Sequence, residues 1–130
     1  MKHKGVTDNI LKAYYNVYNT LGFGFLEKVY EHALLLELQK MGLHAEAQFP
    51  IIVHYDGKEV GQYFADIIVG KIVILELKAV DTLSEEHSYQ LINYLKATDI
   101  EVGLLLNFGK RPQVKRKIFD NEYKKSIQIH

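Results

Sequence analysis

The sequence predicts one mixed α/β domain, or α+β by a stricter definition, built on a sheet of four to five strands flanked by helices. Two observations support this class. Segments with helical and strand periodicity follow one another in the order α-α-β-β-β-α-β. A helix also separates the last two of these strands. Because such a crossover joins parallel strands, the sheet is expected to mix parallel and antiparallel pairs.

Two helices are expected in the first third of the chain. In "VTDNILKAYYNVYNTLG" the apolar residues recur at helical spacing, which predicts the first helix. Thr7 or Asp8 is placed to cap the start of this helix, and Gly22 is placed to end it. The second helix is expected over roughly 25–41, before Gly42. Its apolar side is predicted to comprise Leu26, Val29, Tyr30, Ala33, Leu34 and Leu38.

A meander of three strands should follow. "HAEAQFPIIVHY" and a return strand over about 59–69 flank an Asp-Gly hairpin turn, and "KIVILELKAV" is the third strand. "SEEHSYQLINYLKAT" is the crossover helix, with Ser84 as its N-cap, and "EVGLLLNF" is the fourth strand. Beyond Gly109 "QVKRKIF" is a candidate edge strand, and "SIQIH" at 126–130 receives no assignment.

Composition limits the class of protein. The 130 residues fit a single domain, covering 1–130, that is large enough to fold without covalent cross-links. The chain has no cysteine, which excludes disulfide bonds and a thiolate-metal site. "MKHKGVTDNI" lacks the apolar region of a signal peptide. No apolar run approaches the roughly 20 residues that span a membrane. We expect a soluble, cytoplasmic protein without a membrane partner.

Three charged residues interrupt the most apolar segment, "FADIIVGKIVILELK" at 64–78: Asp66, Glu76 and Lys78. Strands this apolar are buried on both faces, where ionised groups are costly unless they are paired or bind a metal. Glu76 and Lys78 share a face because side chains alternate along a strand. A two-residue turn would send Asp66 to the other face. A three-residue turn, which Gly70 favours, gathers all three charges, and we expect this longer turn.

The gathered charges have two interpretations. Two carboxylates and a lysine suit Mg²⁺, a hard ion that takes a few carboxylate oxygens and keeps waters for substrate phosphates. A buried Asp–Lys–Glu ion-pair cluster is the alternative, since E-x-K alone is a weak pattern. The residues alone favour the metal only slightly.

Four stretches in order resemble motifs of one family. "AD" at 65–66 with "ELK" at 76–78 resembles the PD-(D/E)XK motif of the restriction-endonuclease-like nuclease superfamily, with alanine where proline is often found. "GFLEKVY" at 24–30 is similar to the signature of GxxExxY proteins, a branch of that superfamily. "QLINYL" at 90–95 resembles the Q-x-x-x-Y motif of RecB-type exonucleases, and "VGLLLNFG" at 102–109 resembles the late strand of GxxExxY proteins.

The resemblance implies a restriction-endonuclease-like core and a Mg²⁺-dependent nuclease, with Mn²⁺ as a possible substitute and DNA as the default substrate. Asp66 and Glu76 would hold the metal, joined by the backbone carbonyl of Leu77 and by Glu27 as a third carboxylate. Without the resemblance, Glu27 would be taken as a solvated helix charge. Lys78 would orient or help activate the attacking water.

Gln90 and Tyr94 are the further catalytic candidates that the resemblance indicates. They lie at i and i+4, on one face of the predicted helix. Tyr94 is as well explained as a core aromatic residue. A buried amide at position 90 would need hydrogen-bond partners, so Gln90 is expected to hold a catalytic side chain or a phosphate oxygen.

The net charge is zero, but the C-terminal region is basic: it carries seven Lys or Arg from Lys110 to Lys125 against two acids. A nucleic-acid surface or a solvated tail explains this equally well. The candidate nucleic-acid-binding residues are Lys110, Arg111, Lys115, Arg116 and Lys117.

The preferred function is a metal-dependent DNA nuclease. One alternative is a nuclease-fold binding module that acts through a protein partner, and a weaker one is a hydrolase of another phosphodiester. The small size favours a protein partner or a homodimer.

Overall fold

The computed structural model describes residues 1–125, so the unassigned "SIQIH" at 126–130 lies outside the described residues. Within these described residues, three α-helices and five strands are followed by a short 3-10 helix at Asn121–Tyr123. The helices are α1 (Lys4–Leu21), α2 (Glu27–Lys40) and α3 (Glu85–Lys96). The strands are β1 (Ala45–Tyr55), β2 (Lys58–Val69), β3 (Val73–Lys78), β4 (Val102–Phe108) and β5 (Pro112–Ile118).

The five strands form one sheet in the order β1-β2-β3-β4-β5. Among the strands within residues 1–125, only β3 and β4 pair in parallel, with α3 as the crossover between them, as predicted. The candidate edge strand is confirmed as β5. Within residues 1–125, no helix combines the length and hydropathy needed to cross a membrane.

Each face of the sheet has its own apolar core. Ile67 and Leu75 pack towards α1 and α2, whereas their neighbours Ile68 and Ile74 pack with Leu91 of α3. The alternation of side chains along each strand produces this division. Strands β3 and β4 are therefore covered on both faces, which explains their nearly continuous apolar sequence.

The predicted cap of α3 is confirmed, but the predicted cap of α1 is wrong. The Ser84 hydroxyl accepts a hydrogen bond from the His87 N–H, and His87 Nδ1 accepts one from the Ser84 N–H, forming a capping box. Helix α1 instead begins at Lys4, one turn before the expected position, and has no side-chain cap. Thr7 is buried inside it and donates to the Lys4 carbonyl at 3.0 Å.

The predicted apolar side of α2 is partly wrong. Tyr30, Leu34 and Leu38 are buried, but Leu26 is 80% exposed and precedes the helix, and Val29 is also exposed. Glu31 takes their place as a buried residue. The helix is rotated about its axis relative to the sequence-based expectation, because it packs against both α1 and the sheet.

Gly103 in β4 marks a close approach between sheet and helix. A Cβ at this position would lie 2.6 Å from Leu91 Cδ1. We expect Gly103→Ala to lower the free energy of unfolding by about 1–3 kcal/mol, the usual cost of overpacking a core. Gly5→Ala is the control, because a Cβ there meets nothing within 4 Å. Urea denaturation measures both, and an unchanged midpoint for Gly103→Ala would refute the close packing.

Candidate active site

The turn between β2 and β3 gathers the charged residues. Val69 pairs with Val73, so three residues, Gly70 to Ile72, form the turn, and the predicted three-residue turn is confirmed. Gly70 has φ of 59° and the exposed Lys71 has φ of 57°, both in the left-handed region that such turns use. Continuing this register sets Asp66 beside Glu76.

The two carboxylates replace hydrogen bonds of the sheet. The regular pairing of β2 with β3 extends from the turn to Ile67 and Leu75. Beyond it, the Asp66 N–H donates to Glu76 Oε1 at 3.2 Å, and the Leu77 N–H donates to Asp66 Oδ2 at 2.8 Å. Each carboxylate thus accepts a hydrogen bond from a backbone N–H. These hydrogen bonds offset part of the cost of burying two acids in an apolar segment.

Burial and mutual repulsion keep this pair partly protonated. Glu76 is 5% exposed, and burial together with the charge of Asp66 raises the pKa of Glu76 to about 9. Burial also raises the pKa of Asp66, although the Leu77 N–H opposes the shift. The two acids act as one coupled system that retains a proton near neutral pH.

Lys78 follows the pair at the end of β3, half-buried and on the face of Glu76. Its charge favours the ionised forms of both acids. Within residues 1–125 it forms no ion pair with either. The alternative interpretation as an ion-pair cluster therefore lacks its defining contact.

Glu31 of α2 is a functional candidate that sequence reasoning missed. It is 4% exposed, accepts from Gln48 Nε2 at 2.7 Å and pairs with Lys28 at 3.1 Å. Its charge also raises the pKa of Asp66, which places it near the pair. Gln48 lies within β1 and has φ of 55°, a left-handed backbone conformation that is uncommon for residues other than glycine.

The "GFLEKVY" stretch builds the start of α2. Gly24 has φ of 109°, which favours glycine. The Tyr30 hydroxyl donates to the Gly22 carbonyl at 2.7 Å and accepts from the Phe25 N–H at 3.1 Å, which fixes the loop between α1 and α2. Glu27 therefore lies in the first helical turn, exposed to solvent, where the helix dipole favours an acid.

A cavity of about 150 Å³ lies between α2 and Asp66. Glu27, Lys28, Glu31, Asp66 and Leu77 line it. Glu27 is therefore exposed but borders the same cavity as Asp66. Its role as a metal ligand stays a prediction.

The donor chemistry of this region fits a hard divalent cation. The oxygens of Asp66 and Glu76, with the Leu77 carbonyl beside them, match the ligands that Mg²⁺ prefers. Burial is the largest cause of the raised pKa values of both acids, and the charge of Lys78 opposes the shifts only in part. No group of three or more Asp, Glu, His or Cys within residues 1–125 forms a ready-made metal cluster, so the fit rests on this pair.

Helix α3 brings Tyr94 close to the carboxylates. Tyr94 is buried, and burial together with the charges of Glu76 and Asp66 raises its pKa to about 12. Gln90 is exposed, so the expectation of a buried amide is wrong. It remains adjacent to the site, because Gln90 Nε2 donates to the Tyr94 hydroxyl at 3.1 Å.

Asn107 and Gly109 fix the loop that follows Lys78. The fully buried Asn107 side chain donates to the Val80 carbonyl at 2.8 Å and accepts from the Val80 N–H at 3.0 Å. A Cβ at Gly109 would lie 2.2 Å from the same carbonyl oxygen. The "VGLLLNFG" stretch therefore supports the end of β3, a structural role that its sequence alone did not indicate.

The five basic candidates do not form one patch. Lys110 and Arg111 lie exposed in the β4–β5 turn, at the end of the sheet that carries Lys78. Lys115 and Lys117 pair with Leu105 and Gly103, on the face covered by α3. Arg116 lies on the opposite face, where its guanidinium donates to the Lys2 carbonyl.

Comparison with known proteins identifies the class that this fold and acidic site define. A family model described as the PD-(D/E)XK nuclease superfamily matches residues 4–118. The chain belongs to this superfamily. The five-stranded mixed sheet flanked by helices agrees with the restriction-endonuclease-like fold.

The fold is similar to that of a solved structure. "Crystal structure of SSO0001" matches with a TM-score of 0.61 and 19% sequence identity, covering 72% of this chain and 50% of that chain. The present chain thus spans about half the length of that protein, and the likeness concerns the fold alone. A search of curated proteins finds no match.

Proposed function

We propose that the protein is a Mg²⁺-dependent nuclease of the GxxExxY type that hydrolyses phosphodiester bonds of DNA. The observation that carries this proposal is the buried Asp66–Glu76 pair with Lys78 on the same strand face, in a domain of a nuclease superfamily. Membership in that superfamily supports nucleic acid as the substrate.

The side chains have distinct roles in the proposed reaction. Asp66 and Glu76 each use one oxygen for a backbone N–H, and their carboxyl groups also hydrogen-bond to each other, so an ion held by both would replace the proton between them. The Leu77 carbonyl, and Glu27 across the small cavity, complete the proposed ligands. A divalent ion held there would lower the pKa of the attacking water and offset charge on the phosphate.

Lys78 and Tyr94 act on the substrate. The Lys78 ammonium orients the attacking water and offsets charge that develops at the phosphate. The Tyr94 hydroxyl accepts from Gln90, and within residues 1–125 its own proton has no acceptor. Because its pKa is raised to about 12, this hydroxyl stays protonated and can donate to a phosphate oxygen.

A cleavage assay tests the proposal. The purified protein is incubated with end-labelled single-stranded and duplex DNA, with Mg²⁺, with Mn²⁺ or with EDTA. Cleavage should require the metal. Cleavage that persists in EDTA would contradict the metal-dependent mechanism, and binding without cleavage under all conditions would favour the alternative of a nuclease-fold binding module that acts through a partner.

Glu27→Gln should weaken Mn²⁺ binding severalfold with little loss of stability, because Glu27 is exposed yet borders the cavity of Asp66. Removing one of several carboxylate ligands reduces the attraction for a hard cation. Calorimetric titration with Mn²⁺ measures the affinity. Glu59→Gln, at an exposed acid near the β1–β2 turn, is the charge-matched control. Equal affinities in the two variants would leave Glu27 as a helix-surface charge.

Removing Lys115 and Lys117 together should flatten the salt dependence of duplex DNA binding by about two units of log–log slope, since each phosphate contact contributes roughly −0.9. Arg116→Ala should leave the slope unchanged, because its guanidinium lies on the opposite face. Anisotropy titrations at several salt concentrations, with Ca²⁺ replacing Mg²⁺, measure the slope. A slope that the double variant does not alter would exclude β5 from the DNA surface.

A further inference from the structure

An open groove of about 550 Å³ lies between α3 and the hairpin of β1 and β2. One wall comes from β1 and β2, with Val53 and Tyr63, and the other from α3, with Tyr89, Gln90 and Asn93. We name this space the tyrosine groove. Its volume lies within the range of about 300–1,000 Å³ that is usual for pockets that bind small organic groups.

The groove presents aromatic rings to solvent. Tyr63 is 51% exposed and Tyr89 is 58% exposed, although they come from opposite walls. The Tyr63 ring centroid lies 5.8 Å from that of Tyr94, whose ring continues the aromatic lining inwards. Exposed tyrosines of this kind offer flat apolar surfaces on which another planar ring can stack.

The polar groups of the groove suit a neutral planar ligand better than a phosphate. Glu86 contributes a carboxylate and Lys96 an ammonium to the lining, so these two charges cancel and leave no excess of positive charge for an anion. Gln90 and Asn93 contribute exposed amides, and an amide both donates and accepts hydrogen bonds, as the edge of a nucleobase requires. The groove therefore combines tyrosine rings on which a base can stack with amide groups that can form hydrogen bonds with the edge of that base.

Tyr94 links this groove to the proposed catalytic site. It lines the groove, and it packs in the same core cluster as Ala65, the residue before Asp66, and Leu105, which pairs with Glu76 across β3 and β4. A strand whose phosphate lies at the carboxylates would thus have its neighbouring base at the tyrosine groove. In an intact duplex that base is stacked and paired, and cannot enter.

We propose that the tyrosine groove binds an unpaired nucleobase beside the scissile phosphate, so that the substrate is single-stranded DNA or a frayed end. The inference rests on the proposed nuclease function and specifies its substrate class. Tyr63 and Tyr89 bind the base by stacking, and Gln90 and Asn93 contact its edge without requiring one sequence.

The test compares binding of three labelled probes with Ca²⁺ replacing Mg²⁺: an oligothymidine strand, a duplex of equal length and an abasic strand. Tyr63→Ala and Tyr89→Ala should each weaken binding of the oligothymidine roughly 5- to 150-fold, the range expected for loss of one stacking contact. Binding of the abasic strand and the duplex should not change. Tyr63→Phe and Tyr89→Phe should bind as the parent does, because stacking does not need the hydroxyl.

Tyr55→Ala is the matched control, since Tyr55 is 76% exposed at the end of β1 and does not line the groove. Equal affinity of parent and Tyr63→Ala for oligothymidine would overturn the groove assignment. If the parent still cleaves DNA with Mg²⁺ in that case, the nuclease proposal stands alone. If the parent neither binds nor cleaves any of the probes, both proposals fail.

Discussion

Asp66→Asn is expected to reduce Mg²⁺-dependent DNA cleavage at least about 100-fold. The substitution removes a negative charge from the proposed metal ligands, and electrostatic groups of this kind contribute about 10²- to 10³-fold to rate. Asparagine keeps the shape of the side chain and an oxygen that can accept from the Leu77 N–H, which Asp66 accepts at 2.8 Å. Loss of activity should therefore occur without loss of the fold.

The measurement is the initial rate of cleavage with saturating Mg²⁺, together with a thermal melt of each protein. Asp8→Asn is the control, because Asp8 is an exposed acid on α1 that pairs with Lys4. It should cleave like the parent. Equal rates for the parent and Asp66→Asn would assign the activity to a contaminating nuclease.

The placement of the acidic pair could be predicted from sequence because it depends on local rules. Alternation along β3 puts Glu76 and Lys78 on one face, and the turn at Gly70 sets the register of Asp66. Both rules act over a few residues. The order of the elements and the parallel pair were predictable for the same reason, since periodicity and crossover length are read directly from the chain.

The environment of the pair could not be predicted, because it depends on how helices pack. The burial of Glu31 follows from the rotation of α2 and from its hydrogen bond with Gln48, whose left-handed backbone has no sequence signature. The exposure of Gln90 follows from the open groove between α3 and the β1–β2 hairpin. These are tertiary features, and helical spacing specifies a face without specifying what lies opposite it.

Glu76→Gln is expected to stabilise the metal-free protein near pH 8 and to flatten the pH dependence of its stability. Burial raises the pKa of Glu76 to about 9, above its ordinary value near 4.5. The unfolded chain therefore releases this proton at lower pH than the folded protein does. The stabilising contribution of the protonated group is complete below the unfolded pKa and is lost progressively as pH rises through the folded pKa.

The slope of unfolding free energy against pH is set by the single proton of Glu76, which the folded protein keeps and the unfolded chain releases. Between about pH 4.5 and 9 the parent should lose up to about 1.4 kcal/mol of unfolding free energy per pH unit. Glutamine resembles the protonated acid, since its oxygen can accept from the Asp66 N–H and its amide can donate to the Asp66 carboxylate. We expect the variant to exceed the parent by at least about 1 kcal/mol at pH 8.

Urea denaturation in EDTA at several pH values between 5.5 and 8.5 provides the measurement. Glu101→Gln is the control, because the Asn121 N–H and Lys2 lower the pKa of Glu101. Its contribution is present above the ordinary pKa and is lost only at more acidic pH, so this variant should keep the slope of the parent. A parent whose stability is constant over this window, or a Glu76→Gln variant with an unchanged slope, would show that Glu76 is ionised in the metal-free fold. The acidic pair would then need a cationic partner even without metal, and Lys78 is the nearest candidate on its strand face.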